Sequence, residues 1–85
     1  MTAPDEKVKR YALSPADATS LGVIEAVADA LGRGPLALKP LANVIDTDAL
    51  DSLFADSSTS SLVVSFEYEG LTVTVSNEGF VELRP

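Results

Sequence analysis

"LVVSFEYEGLTVTVSNEGFVELR", residues 62–84, alternates apolar and polar side chains around two glycine-containing breaks. Alternation of period two over runs this short marks half-buried strands. A two-residue turn at Glu69-Gly70 pairs Tyr68 with Leu71, Phe66 with Val73 and Val64 with Val75, all on one face. A three-residue turn at Asn77-Glu78-Gly79 has glycine where a left-handed residue is needed. That turn sets Val81 opposite Val75 and Leu83 opposite Val73, on the same face. Two independent turns therefore build one continuous apolar surface, which a register slip of one residue would scatter. The opposite face carries Val63, Ser65, Glu67, Thr72, Thr74, Ser76, Phe80, Glu82 and Arg84, and is mostly polar. The run predicts a three-stranded antiparallel meander with one covered face and one face in water.

Upstream, "TSLGVIEAVADALGRG" predicts an amphipathic helix, because Leu21, Ile24, Val27, Ala28 and Leu31 recur at helical spacing. Thr19 or Ser20 can cap its start, and Gly32 supplies a left-handed stop before Gly34-Pro35. "PLALKPLANVI" reads as an ordered connection anchored by Leu36, Leu38, Leu41, Val44 and Ile45, with a helical turn opening at Pro40.

"NVIDTDALDSLFAD", residues 43–56, places Asp46, Asp48 and Asp51 close together and raises the question of a metal loop. A calcium loop needs glycine at its sixth position and glutamate at its twelfth, and these positions hold Asp51 and Ser57. The aspartates instead start a helix. Asp46 is its N-cap, Ile45 and Leu50 have the spacing of a hydrophobic staple, and Asp48 lies in the first turn where the dipole favours a negative charge. Leu50, Leu53 and Phe54 form its buried stripe. The polar run "DSSTSS" (56–61) is a hinge, residues 1–6 are expected to be mobile, and "KVKRYAL" (7–13) can form a short edge strand with Lys9, Tyr11 and Leu13 on one face.

Eighty-five residues make one domain near the lower size limit for a self-sufficient core. The expected organisation is a flexible N-terminal segment or short edge strand over residues 1–15 and a single domain over 16–85. The fold class is α+β, with two helices packed on one face of the meander. The core is expected from Ile24, Val27, Leu31, Leu41, Ile45, Leu50, Leu53, Phe54, Val64, Phe66, Val73, Val75, Val81 and Leu83.

The chain has no cysteine and no histidine. Disulfides, thiolate zinc sites, thiol nucleophiles, imidazole metal sites and the Ser-His-Asp triad are excluded. Six basic against 13 acidic residues give a net charge of −7. Compaction of such a chain is opposed by self-repulsion, which salt relieves as the screening length falls from roughly 10 Å at 0.1 M to about 3 Å at 1 M. An acidic, lysine-poor chain fits work in concentrated salt, against the plainer reading of an ordinary acidic domain. No membrane-length apolar run and no secretory signal are present in the sequence, so a cytoplasmic location is expected.

These residues also resemble the halobacterial output domain, type 1, of haloarchaea. The resemblance rests on V-x-E-A-V-A at Val23–Ala28, on P-L-x-x-V-I-D-x-D-A-L-D-x-L-F from Pro40 to Phe54, and on F-E-Y-x-G at Phe66–Gly70. It covers about residues 20–83. The family often has proline where Thr47 stands, and either residue is compatible with a cap at Asp46. The resemblance implies a haloarchaeal cytoplasmic protein acting as a signalling output, alone or joined to receiver and sensor modules, with no enzymatic activity or cofactor. A phosphorylated receiver is itself larger than this whole chain.

Three functional readings follow. An interaction module would use the sheet, whose strands at 62–69 and 80–84 are edges, with Val63 and Phe80 as apolar contacts among Glu67 and Arg84. Its partner is an unidentified protein or a second copy forming a homodimer. A nucleic-acid-binding output would use Lys7, Lys9 and Arg10 beside Tyr11, against seven surplus negative charges and without helix-turn-helix spacing. An enzyme would be confined to carboxylates such as Glu67, Glu69 and Glu82 on an open sheet face, which lacks the cleft that shifts pKa values.

Overall fold

A computed structural model describes residues 8–14, 16–55 and 61–85. The expectations for residues 1–6, Lys7 and most of the 56–61 hinge lie outside the described residues. The elements run β1 (Lys9–Ala12), α1 (Thr19–Leu31), α2 (Thr47–Ala55), β2 (Val63–Tyr68), β3 (Leu71–Ser76) and β4 (Phe80–Arg84). Two 3₁₀ turns, Pro35–Ala37 and Leu41–Asn43, bridge the helices. The fold is α+β, with four antiparallel strands in the order β1-β4-β3-β2.

The meander has the register its sequence predicts: Tyr68↔Leu71, Phe66↔Val73 and Val64↔Val75, then Val75↔Val81 and Val73↔Leu83. Glu69 at φ 54° and Gly70 at φ 80° form the two-residue turn, and Gly79 at φ 104° closes the three-residue one. Positive φ at both central positions matches the twist of the flanking strands. The fourth strand corrects the edge assignment. β1 pairs with β4 through Lys9↔Leu83, Arg10↔Glu82, Tyr11↔Val81 and Ala12↔Phe80, so β4 is interior and the edges are β1 and β2.

The inner face is covered by α1, which touches β4, and by α2, which packs against α1. Val23, Ala26, Val27 and Ala28 from α1 join Leu38, Leu41, Tyr68, Val73, Val75, Val81 and Leu83 in one buried cluster. Gly22 lets Leu13 approach α1, since a Cβ there would lie 2.5 Å from the leucine's Cδ2. Leu50 is also buried, while Ile24, Leu31, Ile45, Phe54 and Phe66 are partly buried against the cluster. Three expected anchors are exposed instead: Leu53 at 49 %, Val44 at 39 % and Leu36 at 101 %. The reason for Leu53 is that α2 rests mainly on α1, so only part of its apolar stripe is covered.

The helix starts divide the aspartates between two jobs. Asp46 Oδ1 accepts the Ala49 amide at 3.1 Å, as an N-cap should, and Asp48 stands in the first turn. Asp51 does something else. Its carboxylate accepts the Ser20 backbone amide at 2.7 Å and the Ser20 hydroxyl at 2.9 Å. Ala18 precedes α1 and has no side-chain cap to offer, so the helix is capped from α2 rather than by Thr19 or Ser20. The next connection is pinned in the same way. Tyr68 donates its hydroxyl to the Lys39 carbonyl, and the Lys39 amide donates to Glu69 at 2.6 Å.

Candidate functional site

The helices leave the other face of the sheet uncovered, and the pairing arranges that face in three rows. The first row is Ala12, Phe80, Ser76 and Val63. The second is Arg10, Glu82, Thr74 and Ser65. The third is Arg84, Thr72 and Glu67. Period-two alternation along each strand delivers all of these side chains to one side.

The middle row is internally satisfied. Arg10 Nη2 donates to Glu82 at 2.7 Å, Arg84 Nη2 lies 3.4 Å from the same carboxylate, and the Ser65 and Thr74 hydroxyls share a hydrogen bond of 2.9 Å. The Arg10 guanidinium also lies over the Phe80 ring, 4.2 Å from its centroid. The Arg10 hydrogen bond is the main cause holding the Glu82 carboxyl below its ordinary pKa; desolvation opposes it, and Arg84 adds a lesser lowering. Val63 is 58 % exposed, whereas Phe80 is half-buried beneath the guanidinium.

The structure thus brings the four candidate interface residues, Val63, Phe80, Glu67 and Arg84, onto one open face. Of the basic cluster, Lys7 lies outside the described residues, and Lys9 and Arg10 fall on opposite faces. Arg10 is on the outer face and engaged by Glu82 and Phe80, while Lys9 belongs to the opposite face beside Leu83. The carboxylates considered for acid–base work also separate. Glu69 sits in the turn, bonded to the Lys39 amide and 3.7 Å from Arg33, so it does not share a strand face with Glu67. The place of Arg10 in the outer row, against Glu82 and Phe80, is not anticipated from the sequence. Its signal was the outward position of a cation in a candidate strand, opposite in charge to Glu82.

An open depression of about 690 Å³ lies at the end of the sheet, bounded by Leu13, Asp17, Thr19, Asp51, Phe54 and Asn77 among others. Its carboxylates are Asp17 and Asp51, and the latter is committed to Ser20. Among the described residues, no group of three or more histidine, cysteine, aspartate or glutamate side chains is placed to hold a metal ion. Nor is any helix among them long and apolar enough to cross a membrane.

Comparison with known proteins decides the family. Residues 15–85 match halobacterial output domain 1. The chain belongs to that family. It is also similar to Disk-determining factor A of Haloferax volcanii, at 39 % identity over 61 residues, which cover 66 % of this chain and 92 % of that protein. No solved structure matches it. Within this halobacterial output domain, the matched region contains α1, α2 and the meander, and β1 lies before it.

Proposed function

We propose that the chain is a small, non-enzymatic signalling-output domain of a haloarchaeon, working in the cytoplasm through protein–protein contacts on the open face of its sheet. One observation carries this reading: the outer face is ordered by its own polar pairs and leaves Val63, Ser65, Glu67 and Arg84 exposed around a buried Ser76. Covering a surface costs most where polar groups end up imperfectly paired. Here Arg10, Glu82, Ser65 and Thr74 already satisfy one another, so a partner can cover the apolar row without stranding them. Family membership supports an output role. The lack of histidine and cysteine, together with the commitment of Asp51, Glu69 and Glu82 to structural bonds, supports the non-enzymatic part. The net charge of −7 supports work in concentrated salt.

The test is affinity capture at native salt with the tagged chain and a Phe80→Ala/Arg84→Glu variant, both confirmed folded by circular dichroism. The expected result is a discrete protein retained by the unaltered chain and lost from the variant. Identical recovery by both, or recovery of nothing by either, contradicts the reading.

A further inference from the structure

The two edges of the sheet differ in how they are protected. β1 has four residues and carries Lys9 and Arg10. β2 has six, pairs with β3 without interruption from Val63 to Tyr68, and contains no lysine, no proline and no bulge. Short length, lysine, proline and bulges are the usual devices against edge-to-edge pairing. β2 lacks these, its one charged side chain is Glu67, and among the described residues no strand covers its outer side.

The backbone direction along β2 is fixed by its start. Leu62 and Asn77 face each other, with the Asn77 amide donating to the Leu62 carbonyl at 3.0 Å and the Leu62 amide donating to Asn77 Oδ1 at 3.0 Å. Backbone groups alternate sides with period two, so those of Val64, Phe66 and Tyr68 also point to β3. Those of Val63, Ser65 and Glu67 point outward. We infer that β2 is the site at which a second copy of this chain pairs, antiparallel and about a two-fold axis through Ser65, joining two four-stranded sheets into one. The inference rests on the interaction-module reading and names one partner for it.

The register follows from elimination. A shift by one residue sets inner-face side chains against outer-face ones. A slide by two toward the hairpin sets Val63 opposite Glu69, which lies in the turn at positive φ. A slide by two the other way sets Glu67 opposite Ser61, beyond the strand. Only pairing of Ser65 with Ser65 uses all three outward residues, as Val63 with Glu67, Ser65 with Ser65 and Glu67 with Val63. Each such pair exchanges two bonds, roughly six in all.

Side chains fit the same register. On the inner face, half-buried Val64 meets half-buried Phe66 of the second copy, extending the core across the seam. On the outer face, the hydroxyl pair Ser65–Thr74 continues into its symmetry mate as a ladder of small hydroxyls, a favourable cross-strand combination. The Glu67 carboxylates lie opposite Val63 rather than each other. Two copies each carrying −7 still repel, so pairing strengthens with salt.

Absence of cysteine makes the test clean. Ser65→Cys, Val63→Cys and Glu67→Cys variants of the full chain are oxidised in concentrated salt, singly and mixed. Residues of a hydrogen-bonded antiparallel pair have Cα atoms about 5.5 Å apart, within disulfide reach. The expected result is that Ser65→Cys alone forms a covalent dimer, and that Val63→Cys and Glu67→Cys do so only with each other. Sedimentation of the unaltered chain in the same salt shows a dimer, which Ser65→Lys converts to monomer by placing two ammonium groups face to face. Cross-linking of Ser65→Cys no faster than of Val63→Cys alone, or a strictly monomeric unaltered chain, overturns the inference. Both measurements use purified chain only, so self-pairing can fail while capture of another protein through Phe80 and Arg84 succeeds, and the reverse.

Discussion

In the meander, Val73, Val75, Val81 and Leu83 are each 2 % exposed or less, whereas on the helices Leu21 and Leu53 remain 42 % and 49 % exposed. The sheet is held by dense apolar packing across its rows. The helical layer comes close to the sheet through small side chains, Val23, Ala26, Val27 and Ala28, and its position is set by a few long-range polar bonds. Ser20 and Asp51 fix one helix against the other, and Lys39 fixes the connection to Tyr68 and Glu69. Burial is non-directional, so it tolerates approximate placement, while a hydrogen bond to a buried amide does not. The sheet therefore supplies stability, and the polar pins supply the angle at which the helices cover it.

Substitutions separate the two contributions. Tyr68→Ala removes a buried ring together with its bond to Lys39, and is expected to cost about 3–5 kcal/mol in denaturant unfolding. Leu36→Ala, at a side chain fully in water, should change stability by no more than about 0.5 kcal/mol. If the two costs were similar, the contrast between covered and uncovered apolar positions would be wrong.

Asp51→Ala strips α1 of its borrowed cap and should cost about 1–3 kcal/mol. Alanine is the better residue within α2 itself, so a purely local effect would stabilise instead. The sign of the measured change thus decides whether the pin between helices matters. Asp46→Ala removes an ordinary cap and should cost about 1 kcal/mol.

Titration gives a smaller effect. Burial, then the nearby Glu69 charge, raises the Tyr68 hydroxyl, and burial, then the Asp29 hydrogen bond, raises that of Tyr11. Raised acid groups are neutral in the folded chain, so their contribution is complete below the tyrosine range and is lost as pH rises through the folded values. Tyr11→Phe should flatten the alkaline fall in melting temperature. Glu82 has the opposite sign: lowered by Arg10, it contributes above the ordinary carboxylate range, and that contribution is lost as pH falls through its folded value. Arg10→Ala should weaken that acid dependence, and in concentrated salt the change should shrink because the pair is exposed.

What was legible in the sequence divides along the same line. The meander could be read because its partners are joined by turns of two and three residues, so alternation and glycine position set every pair. Asp46 could be read because a cap lies beside the helix it starts. β1 was seen as a strand, but its pairing with β4 spans about seventy residues and no turn points to it. Asp51 was assigned to its own helix because its true donor, Ser20, lies 31 positions away. Leu53 reads as core, and Leu36 and Val44 as anchors of the connection, because hydropathy states what a side chain prefers, not whether an element covers it. Of the candidate site, the common face of Val63, Phe80, Glu67 and Arg84 is legible from alternation alone, while the Arg10–Glu82–Phe80 arrangement depends on the β1–β4 pairing.

Residue-resolved amide exchange in concentrated salt, run at low and high protein concentration, tests the open sheet and its free edge most directly. In dilute protein, Val64, Phe66 and Tyr68 should exchange slowly and Val63, Ser65 and Glu67 fast; in concentrated protein all six should be slow. Uniform protection across β2 in dilute solution would mean that the edge is already covered, and fast exchange at Ser65 at every concentration would mean that nothing ever covers it. Either pattern contradicts the account.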